Sequence, residues 1–370
     1  MIACNYKIAI RYRKMKMKKT VLSATIISAL AATSFTALAD GPSFYGRADL
    51  AITNSDMGIA TQNQKSGTII ENNFSWLGVK GTEAINSDLE VVYQMEFGVS
   101  NFDNSNNTFA ARNTFLGLKS ATAGTILVGR NDTVFKASEG GFDIFGNTNS
   151  DIDLLAAGQS RSADGFSYYS PKIADLVTLN ATYLMDDNYD QVNASGEEVY
   201  TDNMYALSAT VGDKGLKAQN YYVSAAYNDG IDNVKAYRGV AQVKLGQVIL
   251  GGFYQNSEHV DSKYSNLEGD TYFVNAAYVM GDLKLKAMYG SDDSGLGKYV
   301  SRYVGDTNGA TLETVSDVDL QQFSVGADYR LSKNTLVYGH YTKYDGDMKL
   351  SGFTHDLSDD IFTVGMRFDF

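Results

Sequence analysis

The chain has 370 residues, 44% of them apolar, with 35 Gly, 25 Tyr, 2 Pro and 1 Cys. A mean hydropathy of −0.22 excludes a bundle of transmembrane helices, which needs repeated apolar runs of about 20 residues. With 43 acidic against 31 basic residues the chain does not read as a nucleic-acid binder, and a single cysteine excludes a disulfide scaffold.

The first predicted element is an export leader. Residues 14–19 (KMKMKK) precede an apolar stretch, 21–38, that ends in Ala37-Leu38-Ala39 before Asp40, the small-x-small pattern of a cleavage site. Ser23, Thr25, Ser28, Thr33, Ser34 and Thr36 dilute that stretch, which argues against a retained membrane anchor. Met15 or Met17 serves as the start, since residues 1–14 add nothing that a leader needs. The expected organisation is a leader over 1–39 and one domain over 40–370. Seven basic residues and no acids precede Asp40, so the remaining 331 residues carry 24 basic and 43 acidic side chains, a net of −19, and no cysteine. That suits an oxidising compartment and leaves no thiol chemistry.

From Phe44 onward the chain alternates in dyads. In the last segment Phe362, Val364, Met366, Phe368 and Phe370 share one parity, with Thr363, Gly365, Arg367 and Asp369 on the other. A strand with this spacing has one apolar and one polar face. Such segments lie near 44–55, 73–82, 89–99, 109–120, 124–133, 164–171, 175–185, 203–212, 216–228 and 234–245, then 247–257, 270–280, 283–292, 319–331, 335–345 and 360–370. Tight turns near 122–124, 171–173, 213–215, 246–247, 281–282 and 332–334 alternate with long polar links at 56–72, 134–163, 186–202, 258–269, 292–318 and 346–359. Sixteen strands with turns at one end and loops at the other predict an all-β fold, a 16-stranded antiparallel transmembrane β-barrel.

Other features agree. Pro42 precedes the first strand and Pro171 sits at a turn, where no ladder donor is lost. Tyr168, Tyr169, Tyr221, Tyr222, Tyr338, Tyr341 and Tyr344 fit aromatic girdles at the two membrane interfaces. The inward parity reads as polar all round, with too few large apolar residues to fill a core. At about 16 strands the lumen is then a water channel.

The segment order resembles that of the general Gram-negative porins. The likeness is carried by Phe44-Tyr45-Gly46-Arg47-Ala48-Asp49, Trp76-Leu77-Gly78-Val79-Lys80-Gly81, Phe115-Leu116-Gly117-Leu118-Lys119, Val128-Gly129-Arg130-Asn131-Asp132-Thr133, Phe142-Asp143-Ile144-Phe145-Gly146, Tyr169-Ser170-Pro171 and the terminal Phe370. The resemblance implies a homotrimer in the outer membrane, in contact with lipid and lipopolysaccharide, that passes ions and small hydrophilic solutes. It implies that the third loop, with Glu139, Asp143, Asp151 and Asp153, folds inward to narrow the pore. The matching basic wall is Arg47, Arg112 and Arg161, and Arg130 takes the role of a loop or subunit latch. Arg47 and Arg112 are expected in the lumen, Arg112 because its parity opposes that of Phe115. Trp76 stands where the family often has an arginine, so the expected constriction is Arg47, Trp76, Arg112 and Arg161 facing Glu139 and Asp143.

Acids and bases across a narrow passage orient polar solutes, and the net negative charge predicts weak cation selectivity. A substrate-specific outer-membrane channel is the alternative. A sugar channel would want an aromatic slide, for which only Trp76 and Tyr45 qualify, and an anion channel would want clustered lysines where only Lys136 occurs. Three scattered histidines (His259, His340, His355) and no metal-ligand spacing point away from an enzyme, a metal site or a cofactor.

Overall fold

The computed structural model describes residues 41–100, 108–185, 191–192, 198–199 and 204–370. The expected leader and most of the link 186–202 lie outside them.

Sixteen antiparallel strands close on themselves. They are β1 (Ser43–Ser55), β2 (Gly67–Asn72, resumed as Trp76–Ala84), β3 (Leu89–Val99), β4 (Phe109–Ser120), β5 (Gly124–Asp132), β6 (Arg161–Tyr169), β7 (Val177–Leu184) and β8 (Tyr205–Gly212). After them come β9 (Tyr221–Asp229), β10 (Val234–Leu245), β11 (Val248–His259), β12 (Glu268–Met280), β13 (Leu283–Asp292), β14 (Val315–Arg330), β15 (Thr335–Leu350) and β16 (Asp359–Asp369). β1 pairs with β16 from Arg47↔Asp369 to Ser55↔Ile361. The seam ends in a reciprocal pair, Gly46 N to Phe370 O at 2.9 Å and Phe370 N to Gly46 O at 3.0 Å. Any side chain at residue 46 would collide with the Phe370 ring. Closure matters because an open edge in lipid leaves backbone groups unpaired, at several kcal/mol each.

Alternation sets inside and outside. Val364 is 67% exposed while Thr363 beside it is 3% exposed. An exposed band of Phe362, Val364, Met366, Leu116, Val128 and Val274 suits a lipid surround.

Some expected boundaries shift for physical reasons. β2 starts earlier and is interrupted at 73–75, where Asn72 accepts from Ser75 N at 2.9 Å and donates to Val99 O at 2.6 Å, and Phe74 has a φ of 59°. β9 starts at Tyr221, because 213–220 is a folded turn and not a strand. The β9–β10 connection is one short helical turn, Ile231–Asn233. Of the expected girdle tyrosines, Tyr222, Tyr338 and Tyr344 are buried inside the barrel. Neighbours in a strand face opposite ways, so in the pair Tyr221-Tyr222 only Tyr221 can face lipid.

The inward faces of β10–β15 also correct the reading of a uniformly polar lumen. Val240, Phe253, Phe273, Met288 and Tyr344 point inward and pack with loop residues into one apolar core. That core includes Phe142, Phe145, Ile152, Leu154 and Leu155 from the β5–β6 link. It also takes Tyr299, Val300 and Val304 from helix α2 (Lys298–Asp306) in the β13–β14 link. Each fully buried side chain of this size contributes about 1.5–3 kcal/mol.

Candidate constriction site

The β5–β6 link, residues 133–160, begins with the short helix α1 (Val134–Ala137), capped by Thr133, which accepts from Lys136 N at 3.2 Å. Carboxylates then shape the chain by accepting backbone N–H groups. Asp143 accepts from Phe145 N at 2.9 Å and Ile152 N at 3.2 Å, and Asp151 from Asn147 N at 2.6 Å and Asp153 N at 3.0 Å.

The folded link lies against inward-facing side chains, whose donors satisfy its carbonyls. Arg238 of β10, 3% exposed, donates to Phe135 O at 3.1 Å and Ala157 O at 3.0 Å, so one guanidinium holds both legs. Gln242 reaches Gly141 O at 3.1 Å, Asn275 reaches Phe142 O at 2.6 Å and Lys286 reaches Ile144 O at 3.0 Å. Farther round, Gln322 reaches Ser150 O at 2.8 Å and Tyr344 reaches Asn149 O at 2.9 Å. Asn149 donates to Glu71 of β2 at 2.6 Å. Lys286 is itself paired with Asp328 at 2.8 Å, and its ammonium stands 4.4 Å from the centre of the Phe145 ring. From above, Lys298 of α2 pairs with Asp153.

Three loop carboxyls are raised by the same enclosure. Burial, then the nearby Asp151, push Glu139 up to about 7. Burial and then Asp153 push Asp151 up to about 6. Asp143 rises through burial, then Asp151 and Glu139.

On the opposite wall, Arg47, Trp76 and Arg112 form one cluster. The guanidinium carbons of Arg47 and Arg112 stand 5.6 Å and 6.0 Å from the Trp76 ring centre, and Tyr45 meets that ring edge-on at 5.0 Å. Each arginine has a carboxylate partner: Arg47–Asp369 at 2.7 Å and Arg112–Glu96 at 2.5 Å. Arg161 pairs with Asp132 at 3.1 Å and donates to Asn113. Arg112 and Arg161 line a cavity of about 310 Å³ on the loop side. Arg47 lines one of about 460 Å³ on the turn side, with Arg367, Arg330 and Lys284 from the wall and Asp143 and Asn147 from the loop.

Of the expected constriction residues, the fold thus brings Arg47, Trp76 and Arg112 into contact, sets Arg161 beside them and places Asp143 across a cavity from Arg47. Glu139 turns back between the legs of the loop, where it accepts from Gln159 at 2.9 Å. Arg112 does face inward, but not because its parity opposes that of Phe115. Phe115 pairs with Gln94 and Gly129, whereas its neighbour Leu116 is exposed to the outside, so Phe115 itself faces inward. Arg112 turns inward because a bulge sets two residues, Arg112 and Asn113, against Glu96 alone. Arg130 pairs with Thr114, on the exposed parity of Leu116 and Val128. Sequence reasoning missed the partners Glu96, Asp132 and Asp369 and the anchors Arg238 and Lys286. Asp132, on the outward parity of Val128 and Arg130 by count, turns inward only through the bulge between Gly129 and Asn131. The inward parity of the others was legible, but what they would meet was not.

A family comparison matches residues 24–349 to the Gram-negative porins. The major outer membrane protein P.IB of Neisseria sicca is 22% identical over 353 residues, 86% of this chain and 91% of that one. Among solved structures, the anion-selective porin from Comamonas acidovorans superposes with a TM-score of 0.64 at 17% identity, covering 90% of this chain and 100% of that one. OmpT of Vibrio cholerae, in its trimer form, gives 0.61 at 18% identity, covering 89% and 99%.

Proposed function

Since the chain belongs to the Gram-negative porin family and resides in the outer membrane, we propose that it is a passive, non-specific diffusion channel. It passes ions and small hydrophilic solutes down their gradients with weak cation selectivity, and it uses neither catalysis nor a cofactor.

The observation that carries the selectivity is the acidic excess of residues 40–370, a net of −19. The wall guanidiniums of Arg47, Arg112 and Arg161 are each offset by a carboxylate. Among the described residues, Glu139, Asp143 and Asp151 have no ion-pair partner. Charges beside a narrow, low-dielectric wall act strongly on a passing ion. Offset arginines orient polar solutes. Asp143 adds negative charge on the loop face of the turn-side cavity, while Lys284 and Arg330 stand opposite it without an ion-pair partner among the described residues. The local charges are therefore mixed, and the acidic excess of the whole domain sets the sign.

The working unit is a homotrimer. Arg130 is compatible with this reading, since it lies on the outward parity at a bulge between Gly129 and Asn131, where a neighbouring subunit would meet the wall.

Planar-bilayer recording of the detergent-purified protein in a potassium chloride gradient tests the proposal. Ohmic steps closing in thirds, with a reversal potential displaced toward potassium, are expected. Displacement toward chloride sinks the selectivity, and a barrel that inserts but stays shut sinks the channel.

A further inference from the structure

We propose that residues 213–220, the connection between β8 and β9, are a second constriction element, which rises into the barrel from the turn end and seats the inward loop at Gly141. The inference rests on the channel reading above and adds to it a floor beneath the loop.

Two other connections at this end have only two residues, 246–247 between β10 and β11 and 281–282 between β12 and β13, and the longest of the rest, 170–176 between β6 and β7, has seven. Residues 213–220 are longer and internally braced. The Asp213 carboxylate accepts from Gly215 N at 2.9 Å, Lys217 N at 2.8 Å and Ala218 N at 2.7 Å, and these donors hold its pKa down to about 2. Leu216, in the middle of the turn, is only 8% exposed although its φ is 52°. A buried leucine in left-handed backbone at a barrel rim means that the turn is packed against protein and does not hang in solvent.

The contact with the loop is made by bare backbone. A Cβ on residue 141 would lie 2.5 Å from the Lys214 carbonyl oxygen, so glycine is required there by close approach. Gly141 is also fixed from the wall, since its own carbonyl accepts from Gln242. At neighbouring Gly140 the Tyr222 ring occupies the corresponding space. A recess of about 610 Å³ remains between turn, α1 and the inner wall, with Ser138 and Tyr222 above and Lys172, Lys214 and Gln219 below. The turn therefore narrows the exit under β7–β9. Solutes leave past Arg47 and Arg367 on the other side, while Lys214 stands at the recess under β7–β9.

Two variants test this in bilayers. The first deletes 214–219, leaving Asp213, Asn220 and Tyr221 as a three-residue hairpin loop between Gly212 and Tyr222. Its single-channel conductance is expected to rise by about half, with larger neutral sugars admitted in liposome swelling. The second is Lys214→Cys, for which residues 40–370 offer no competing thiol. A bulky thiol reagent is expected to cut its current stepwise, whereas Lys333→Cys on the exposed 331–334 turn is expected to keep its current after labelling. Unchanged conductance and sugar cutoff in a folded deletion variant, or equal responses at 214 and 333, overturn the inference. A wild-type barrel that never conducts refutes the channel reading instead.

Discussion

The two halves of the lumen wall use one alternating pattern to opposite ends. Along β1–β6 the inward Tyr45, Arg47, Trp76, Glu96, Arg112 and Arg161 are held by contacts among themselves and with Asp132 and Asp369 beside water-filled space. On this side Thr53 and Glu71 reach the loop, through Asn149. Along β10–β15 they are Arg238, Phe253, Asn275, Lys286, Tyr338 and Tyr344, buried or half-buried, most of them in contact with the β5–β6 loop or packed in its core. The difference lies in the partner and not in the residue type. A guanidinium offset by a neighbouring carboxylate stays a pore charge, whereas one that finds two loop carbonyls becomes a structural anchor. Polarity on the inward parity therefore marks the lumen side of a strand without saying whether the lumen there is open.

The largest test of this contrast is Phe145→Ala. Phe145 is fully buried against Lys286 and meets His340 edge-on at 5.1 Å. Its truncation is expected to cost about 3 kcal/mol, read as a lower thermal unfolding midpoint in detergent, and to raise current noise as the loop tip loosens. The matching change on the open wall, Trp76→Ala, should alter selectivity and leave the midpoint nearly fixed. Equal losses of stability would erase the contrast.

An intermediate effect is expected from pH. The carboxyls of Glu139 and Asp151 lie above their ordinary values, so the folded loop holds protons that an unfolded chain would release. Their ionised forms cost stability above about 7 and about 6, and that cost is relieved as pH falls through those values toward the ordinary carboxylate range. Cation preference should fall by roughly half from pH 8 to 5.5 as these charges are lost, while the unfolding midpoint rises. Glu139→Gln should remove the upper part of that titration. A reversal potential flat across the range would place the selectivity elsewhere.

The smallest expected effect is that of Trp76→Arg, which adds a third guanidinium between Arg47 and Arg112. We expect a roughly twofold shift of the potassium-to-chloride permeability ratio toward chloride with little change in stability.

The strands were legible because alternation is a local property. β13 and β16 could be read from Leu283, Leu285 and Ala287 and from Phe362 to Phe370 without knowing any neighbour. What failed depended on register or on contacts distant in sequence. The bulge at Arg112 and Asn113 reverses the parity on either side of it, so counting from Phe115 reached the correct face by a mistaken route. Residues 216–220 alternate plausibly as strand, but the Asp213 carboxylate gathers their amides into a turn. Wall and loop charges at the site were named from sequence, and their pairing was not. Asp369 and Arg47 lie 322 residues apart and meet only when the barrel closes.

That closure gives the last residue of the chain a part in timing. The seam is made between the first strand and the final one, and it ends on the main-chain groups of Phe370 itself. Every other strand can pair with its predecessor as it arrives, but β1 must wait for the end of the chain, and so long a wait makes the closing step slow. Until then two edges stand open, and in a bilayer each is a row of unanswered donors and acceptors. Loss of a few residues from this strand keeps nearly all the others and shortens the one seam that closes them, so the cost falls on closure and not on any single strand.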